Sequence, residues 1–149
     1  MSATRPAPFG GGNRVIAHVC NDVGRWGKGF VLAVSKRWRQ PEAEFLDSHA
    51  RQSLRLGMVQ LVQVEKMVWV ANLIAQRDIV ERDGVPPIRY DALAECLRTL
   101  GLHAQELRAS IHMPRFGCGL AAGKWEQVEP LITEALPGTQ VFVYDLPAS

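Results

Sequence analysis

Two stretches of this chain share one grammar: an apolar run of strand character, a glycine-rich loop, and then apolar residues at helical spacing. The first runs from Arg14-Val-Ile-Ala-His-Val-Cys20 through Asn21-Asp-Val-Gly-Arg-Trp-Gly-Lys-Gly29 into Phe30-Val-Leu-Ala-Val-Ser-Lys-Arg-Trp38. The second runs from Ser110-Ile-His-Met-Pro114 through Arg115-Phe-Gly-Cys-Gly-Leu-Ala-Ala-Gly-Lys124 into a segment beginning at Trp125. A strand that returns through a helix builds a parallel pair, so two such units commit the chain to an α/β sheet with helices on its faces. Each unit also has a chemical consequence. Glycine lacks a Cβ, so it allows positive φ and close approach of a ligand to the backbone. A helix N-terminus behind such a loop offers N–H groups and the positive end of the helix dipole to an anion. Two of these loops at strand C-termini suit a pyrophosphate held from both sides.

The rest of the chain fills in around these units. Pro41 suits the first turn of a helix running through Phe45 and Leu46 towards Leu54. Met58 to Val64 and Val68 to Ile74 read as a hairpin around a turn at Glu65-Lys66. Arg77 to Pro87 is a charged loop ending in Gly-Val-Pro-Pro, and Tyr90 to Leu107 carries Leu93, Leu97, Leu100 and Leu107 on one helical face. Trp125 to Leu136 is a helix and Gln140 to Tyr144 a last strand. The expectation is a three-layer α/β/α fold with a mixed sheet. Residues 1–12, rich in Pro and Gly, form an arm, and residues 13–149 form a single domain.

Composition narrows the partners. At 149 residues, with 47% hydrophobic and 21% charged residues, the chain has material for one sizeable core. Seventeen basic and fifteen acidic side chains are dispersed, giving a net charge of +2, so no basic stripe of the nucleic-acid kind emerges. The run Lys36-Arg37-Trp38-Arg39 reads as a solvated helix end, where the dipole favours cations. Cys20, Cys96 and Cys118 are odd in number and lack CxxC spacing, which points to a reducing, cytoplasmic setting without disulfide or zinc. No apolar run is long enough to cross a bilayer. Neither glycine loop is G-x-G-x-x-G or a P-loop, and no metal or cofactor is expected.

Ile16-Ala-His-Val-Cys-Asn-Asp-Val-Gly-Arg-Trp-Gly-Lys-Gly29, Met113-Pro-Arg-Phe-Gly-Cys-Gly-Leu120 with Trp125-Glu126, and Val143-Tyr-Asp-Leu146 together resemble the macro domain family. The nearest branch holds terminal ADP-ribose protein glycohydrolase and the ADP-ribose-1″-phosphate phosphatases. The resemblance runs from Ala3 onward and implies ADP-ribose or an ADP-ribosylated substrate as ligand. It implies that Asn21 sits beside the distal ribose and that Gly27, Lys28, Gly29 and Phe30 cover the diphosphate and that ribose. Gly117, Cys118, Gly119, Leu120, Ala121, Ala122 and Gly123 would form the second, phosphate-gripping loop. Tyr144 and Asp145 would lie near the adenine. The implied activity is hydrolysis of ADP-ribose-1″-phosphate or removal of ADP-ribose from acceptors, the alternative being a binding module without turnover.

Three positions depart from that pattern. Gln76 stands where the glycohydrolase has its covalent lysine, and Ala121 where it has an aspartate. A glutamine forms no Schiff base and an alanine transfers no proton. The family usually opens with a strand and Gly-Asp-Ala-Thr, whose Asp holds the adenine amino group; here Ser2 occupies that place, so the first edge strand is expected to be missing. The last strand would then be open on one side, for the arm to cover or for a homodimer to pair. For acid/base work the candidates are Asn21 with Asp22, the one carboxylate in either loop, and His18. Asp22 equally suits capping of its own turn, and His18 a hydrogen-bonded place in the core. His112 reads as structural. Cys118 lies where a helix N-terminus would lower a thiol pKa, but a cysteine nucleophile usually comes with a placed histidine, which the sequence does not demonstrate.

Overall fold

The computed structural model describes residues 12–27, 29–79, 87–115 and 124–145. Strand β1 (Asn13–Asn21) enters at the centre of the sheet, followed by helices α1 (Phe30–Arg37) and α2 (Gln40–Ala50). The hairpin β2 (Val59–Glu65) and β3 (Val68–Gln76) comes next. Helix α3 (Tyr90–Leu107), β4 (Ala109–Pro114), α4 (Trp125–Ala135) and β5 (Val141–Tyr144) complete the order. The strands line up as β2-β3-β1-β4-β5. β1 is parallel to β3 and β4, β4 is parallel to β5, and β2 is antiparallel to β3, which makes the sheet mixed as expected.

Both faces of the sheet are covered, which is why β1 and β3 are nearly uninterrupted apolar runs. Side chains alternate between faces. Val15, Ala17, Ala71, Leu73 and Ala75 pack with Leu93, Leu97 and Leu100 of α3 and Val128 and Ile132 of α4. Ile16, Cys20, Val70 and Ile74 pack on the other side with Val34 and Trp38 around α1 and Phe45 of α2. The leucine spacing that marks α3 in the sequence is the buried stripe of that helix. Gly101 lets α4 close in, because a Cβ there would stand 3.1 Å from the Ala135 carbonyl oxygen.

Most strand and helix ends shift by one or two residues from expectation, and two of the shifts have a visible cause. Helix α2 stops at Ala50, short of Leu54, because Gln52 turns left-handed with φ 56° and Ser53 N–H donates back to the Ser48 carbonyl at 2.9 Å, a Schellman-type close. The hairpin turn falls at Lys66-Met67 and not at Glu65-Lys66. Glu65 stays in the strand, where its carboxylate accepts the Trp38 indole N–H at 2.8 Å. Lys36 and Arg37 form the basic last turn of α1, as read from the sequence. The expected absence of a first strand beside β5 concerns residues 1–11, which lie outside the described residues.

Candidate functional site

Because β1, β3, β4 and β5 run in one direction, their C-termini meet at one edge of the sheet, the place where open α/β folds take ligands. The first glycine loop leaves β1 there. Asn21, buried at the end of β1, accepts the N–H groups of Val23 at 3.1 Å and Arg25 at 3.0 Å, and donates to the Arg25 carbonyl at 2.7 Å. Its amide therefore sets the shape of the loop's first half. Trp26 anchors the second half: its indole N–H donates to Ser35 Oγ at 2.6 Å, which donates to Glu42 at 3.0 Å, and its ring packs 5.3 Å from Phe45.

The three loop glycines have different causes. Gly24 (φ 74°) lies against the His49 ring, so a Cβ there collides with α2. Gly29 (φ 79°) is the N-cap of α1 in a conformation few side chains accept. Gly27 is exposed, carries no positive φ, and a Cβ there would meet nothing within 4 Å. Among the described residues, neither backbone nor packing demands a glycine at that position. Behind this loop, no side chain among the described residues caps α1, and its first turn holds no acidic residue.

Around the second loop the described residues are its ends; Gly117, Cys118, Gly119, Leu120, Ala121, Ala122 and Gly123, with Lys28 of the first loop, lie outside them. Arg115 joins those ends. Its N–H donates to the Tyr144 carbonyl at 3.0 Å, its Nε donates to Asp145 at 2.7 Å, and its guanidinium lies 4.9 Å over the Trp125 ring. Lys124 N–H donates to the Tyr90 hydroxyl at 3.0 Å. The Tyr144 hydroxyl is 2.8 Å from His112 Nδ1, whose ring stacks 4.9 Å from Phe142 and places Nε2 2.9 Å from Ser110 Oγ. Burial, with Arg14 nearby, lowers the His112 pKa from 6.5 to about 4. That histidine, read as structural from the sequence, is buried and bonded to its sheet neighbours.

A third segment reaches the same edge and has no signature in the sequence. Asp22 does not cap its own turn; its Oδ1 accepts the N–H of Asp78 at 2.8 Å, and its own N–H donates to the Gln76 carbonyl at 2.9 Å. Gln76 pairs with Asn21 across a register shift, and its amide donates to the Asp78 carbonyl at 3.1 Å. The two ends of the following loop are tied by Arg77 N–H to Pro87 and Arg89 N–H to Ala75, both 2.8 Å.

His18 lies beneath the first loop and is 1% exposed. Asn72 donates its amide to the Pro41 carbonyl and to Gln60 Oε1, both at 3.1 Å, so its oxygen must face His18 Nε2 at 2.7 Å. His18 therefore carries its proton on Nε2. Burial lowers its pKa to about 4, against the opposing effect of the Asn72 bond, so the ring is neutral at physiological pH. Trp26 and Phe30 roof it at 5.3 and 5.7 Å. Burial raises the thiol pKa of Cys20 and pushes that of Cys96 up to about 12, so neither is a thiolate nucleophile. Among the described residues no cluster of His, Cys, Asp or Glu is arranged to hold a metal ion, and no helix is long and apolar enough to cross a membrane.

No protein-family model matches the chain. Solved structures do. A protein of unknown function from Bacteroides thetaiotaomicron is 51% identical, with 97% of this chain and 93% of that one covered and a TM-score of 0.91. A macrodomain protein from Streptomyces coelicolor is 49% identical over 97% of this chain and 95% of its own, with a TM-score of 0.84. The chain belongs to the macrodomain family.

Further from this macrodomain, the fold recurs in Thermosipho africanus DarTG in complex with ADP-ribose, 19% identical, covering 89% of this chain and 38% of that one at a TM-score of 0.69. Mouse chromodomain-helicase-DNA-binding protein 1-like is 30% identical over 91% of this chain, but the macrodomain spans only 16% of that protein's length. The ADP-ribose 1″-phosphate phosphatase of Lodderomyces elongisporus is 22% identical over 87% of this chain and 84% of its own. Of the residues the sequence singles out, the fold brings Asn21, Asp22, Gly27, Gly29, Phe30, Tyr144 and Asp145 to one edge of the macrodomain sheet. His18 is set one layer below it.

Proposed function

We infer that this macrodomain binds ADP-ribose, free or on a modified acceptor, at the C-terminal edge of its sheet. One observation carries the reading: the first glycine loop delivers the α1 N-terminus to that edge without a side-chain cap or a first-turn carboxylate, behind a Gly27 that nothing among the described residues requires to be glycine. The N-terminus of a helix and its dipole favour a diphosphate, and a missing Cβ at Gly27 leaves room for one. The ADP-ribose complex named among the fold relatives supports the same ligand class. In this reading Asn21, Gly27, Lys28, Gly29 and Phe30 line the distal ribose and diphosphate. Gly117 to Gly123 grip from the other side, and Tyr144 and Asp145 flank the adenine.

Calorimetry with ADP-ribose, with AMP as the comparison ligand, tests it. ADP-ribose should bind and Gly27→Val should weaken it roughly tenfold or more, with the unfolding midpoint held. Gly119→Val should abolish binding. A wild-type protein that takes up no ADP-ribose overturns the reading.

Binding without turnover is the form the geometry favours, because His18 is buried with its Nε2 proton committed to Asn72, and the Asp22 carboxylate is engaged with Asp78. The second reading, hydrolysis of ADP-ribose-1″-phosphate, has the Lodderomyces phosphatase in its support. Phosphate release from that compound by the purified protein decides between them.

A further inference from the structure

Asp22 sits at the exit of β1, next to the proposed ligand loop, yet its bonds run to a different segment. It receives the Asp78 N–H at 2.8 Å across 56 residues of sequence and gives its own N–H to Gln76 at 2.9 Å. Asp78 has φ 63°, a left-handed conformation that costs a non-glycine residue energy and persists where its surroundings hold it. Among the described residues, three bonds hold it here: Asp22 on its N–H, Gln76 on its carbonyl at 3.1 Å, and its own carboxylate on the Ile79 N–H at 2.7 Å. Resting on the ADP-ribose reading above, we propose that Asp22 is a positioning residue: as a hydrogen-bond acceptor, not as an acid or base, it latches the turn after β3 to the first glycine loop and so pre-forms that wall of the ligand site.

The physical consequence is pre-organisation. Without the latch, the turn at Asp78 and Ile79 loses one of the bonds that hold its left-handed residue, and a ligand has to order it on binding. The acceptor oxygen is the part that matters. Asparagine keeps such an oxygen at the same place and loses only the charge and the proton chemistry, whereas alanine loses all three.

Two variants and two measurements test this. In the ligand-free protein, amide hydrogen exchange at Asp78 should quicken roughly tenfold in Asp22→Ala and stay near the wild-type rate in Asp22→Asn. Calorimetry should show ADP-ribose affinity falling roughly tenfold in Asp22→Ala and within about threefold of wild type in Asp22→Asn. Gln76→Ala, which removes the bond to the Asp78 carbonyl, should shift both readouts the same way as Asp22→Ala. An Asp22→Asn variant that loses as much affinity as Asp22→Ala overturns the proposal in favour of a role for the charge or the proton. So does an Asp22→Ala variant with quickened exchange and unchanged affinity. If the wild-type chain binds no ADP-ribose, the ligand reading falls, and the exchange data still report whether the latch exists.

Discussion

The contrast between Gly24 and Gly27 separates two reasons for a glycine. At Gly24 a positive φ of 74° meets the His49 ring, so Gly24→Ala should cost about 1–2 kcal/mol from the left-handed backbone alone. At Gly27 neither cause exists among the described residues, and Gly27→Ala should move stability by no more than about 0.5 kcal/mol. Urea unfolding of the two variants checks this, and equal losses would remove the distinction on which the ligand argument leans. The same scale governs Gln76. With its amide on the Asp78 carbonyl and no amine to offer, it should leave borohydride nothing to trap after incubation with ADP-ribosylated protein. A reduced ADP-ribosyl–lysine adduct on this chain would refute that. The letters alone place both glycines in one loop; only the backbone angle and the neighbour tell them apart.

Between elements, a line of buried polar side chains runs beneath α2. His18 on β1, Asn72 on β3, Gln60 on β2 and Ser48 on α2 form one hydrogen-bonded line, ending in a 2.7 Å contact from Gln60 to Ser48 Oγ. All four side chains are buried. Asn72→Leu preserves volume but leaves the His18 proton and the Gln60 oxygen unpaired, at a cost of about 2–4 kcal/mol. Replacing Gln60 by Leu in the same protein should recover part of that loss, because the second orphan goes with it. Additive losses in denaturant unfolding would show that the line is not coupled. This network also marks where sequence reading stops. Strands, helices and glycine loops come from local period and turn chemistry, so α3 was readable to its ends. The partner of His18 lies 54 residues away and that of Asp22 56 away. A lone Asn in an apolar run hints at such a partner without naming it.

At the scale of the whole molecule, burying both faces of the sheet takes two histidines out of water, and the consequence is a dependence of stability on pH. His18 and His112 both fall from 6.5 to about 4, chiefly through burial. In the unfolded chain each recovers its ordinary affinity for protons, so between those two values the unfolded state binds more protons than the folded one. Stability therefore is at its full value above about pH 6.5 and is lost as pH falls towards 4, where the folded rings also titrate. With two such groups the slope approaches about 2.7 kcal/mol per pH unit near the middle of the window. Unfolding midpoints at pH 7.5, 6.5, 5.5 and 5.0 stay above the ordinary carboxylate range and isolate the effect. His112→Phe retains the stacking on Phe142 and removes one titrating ring, so it should roughly halve the slope even if it lowers stability at neutral pH through the lost Tyr144 and Ser110 contacts. A wild-type midpoint that does not move between pH 7.5 and 5.0 would mean that both rings remain accessible to protons in the folded protein, contrary to their 1% exposure.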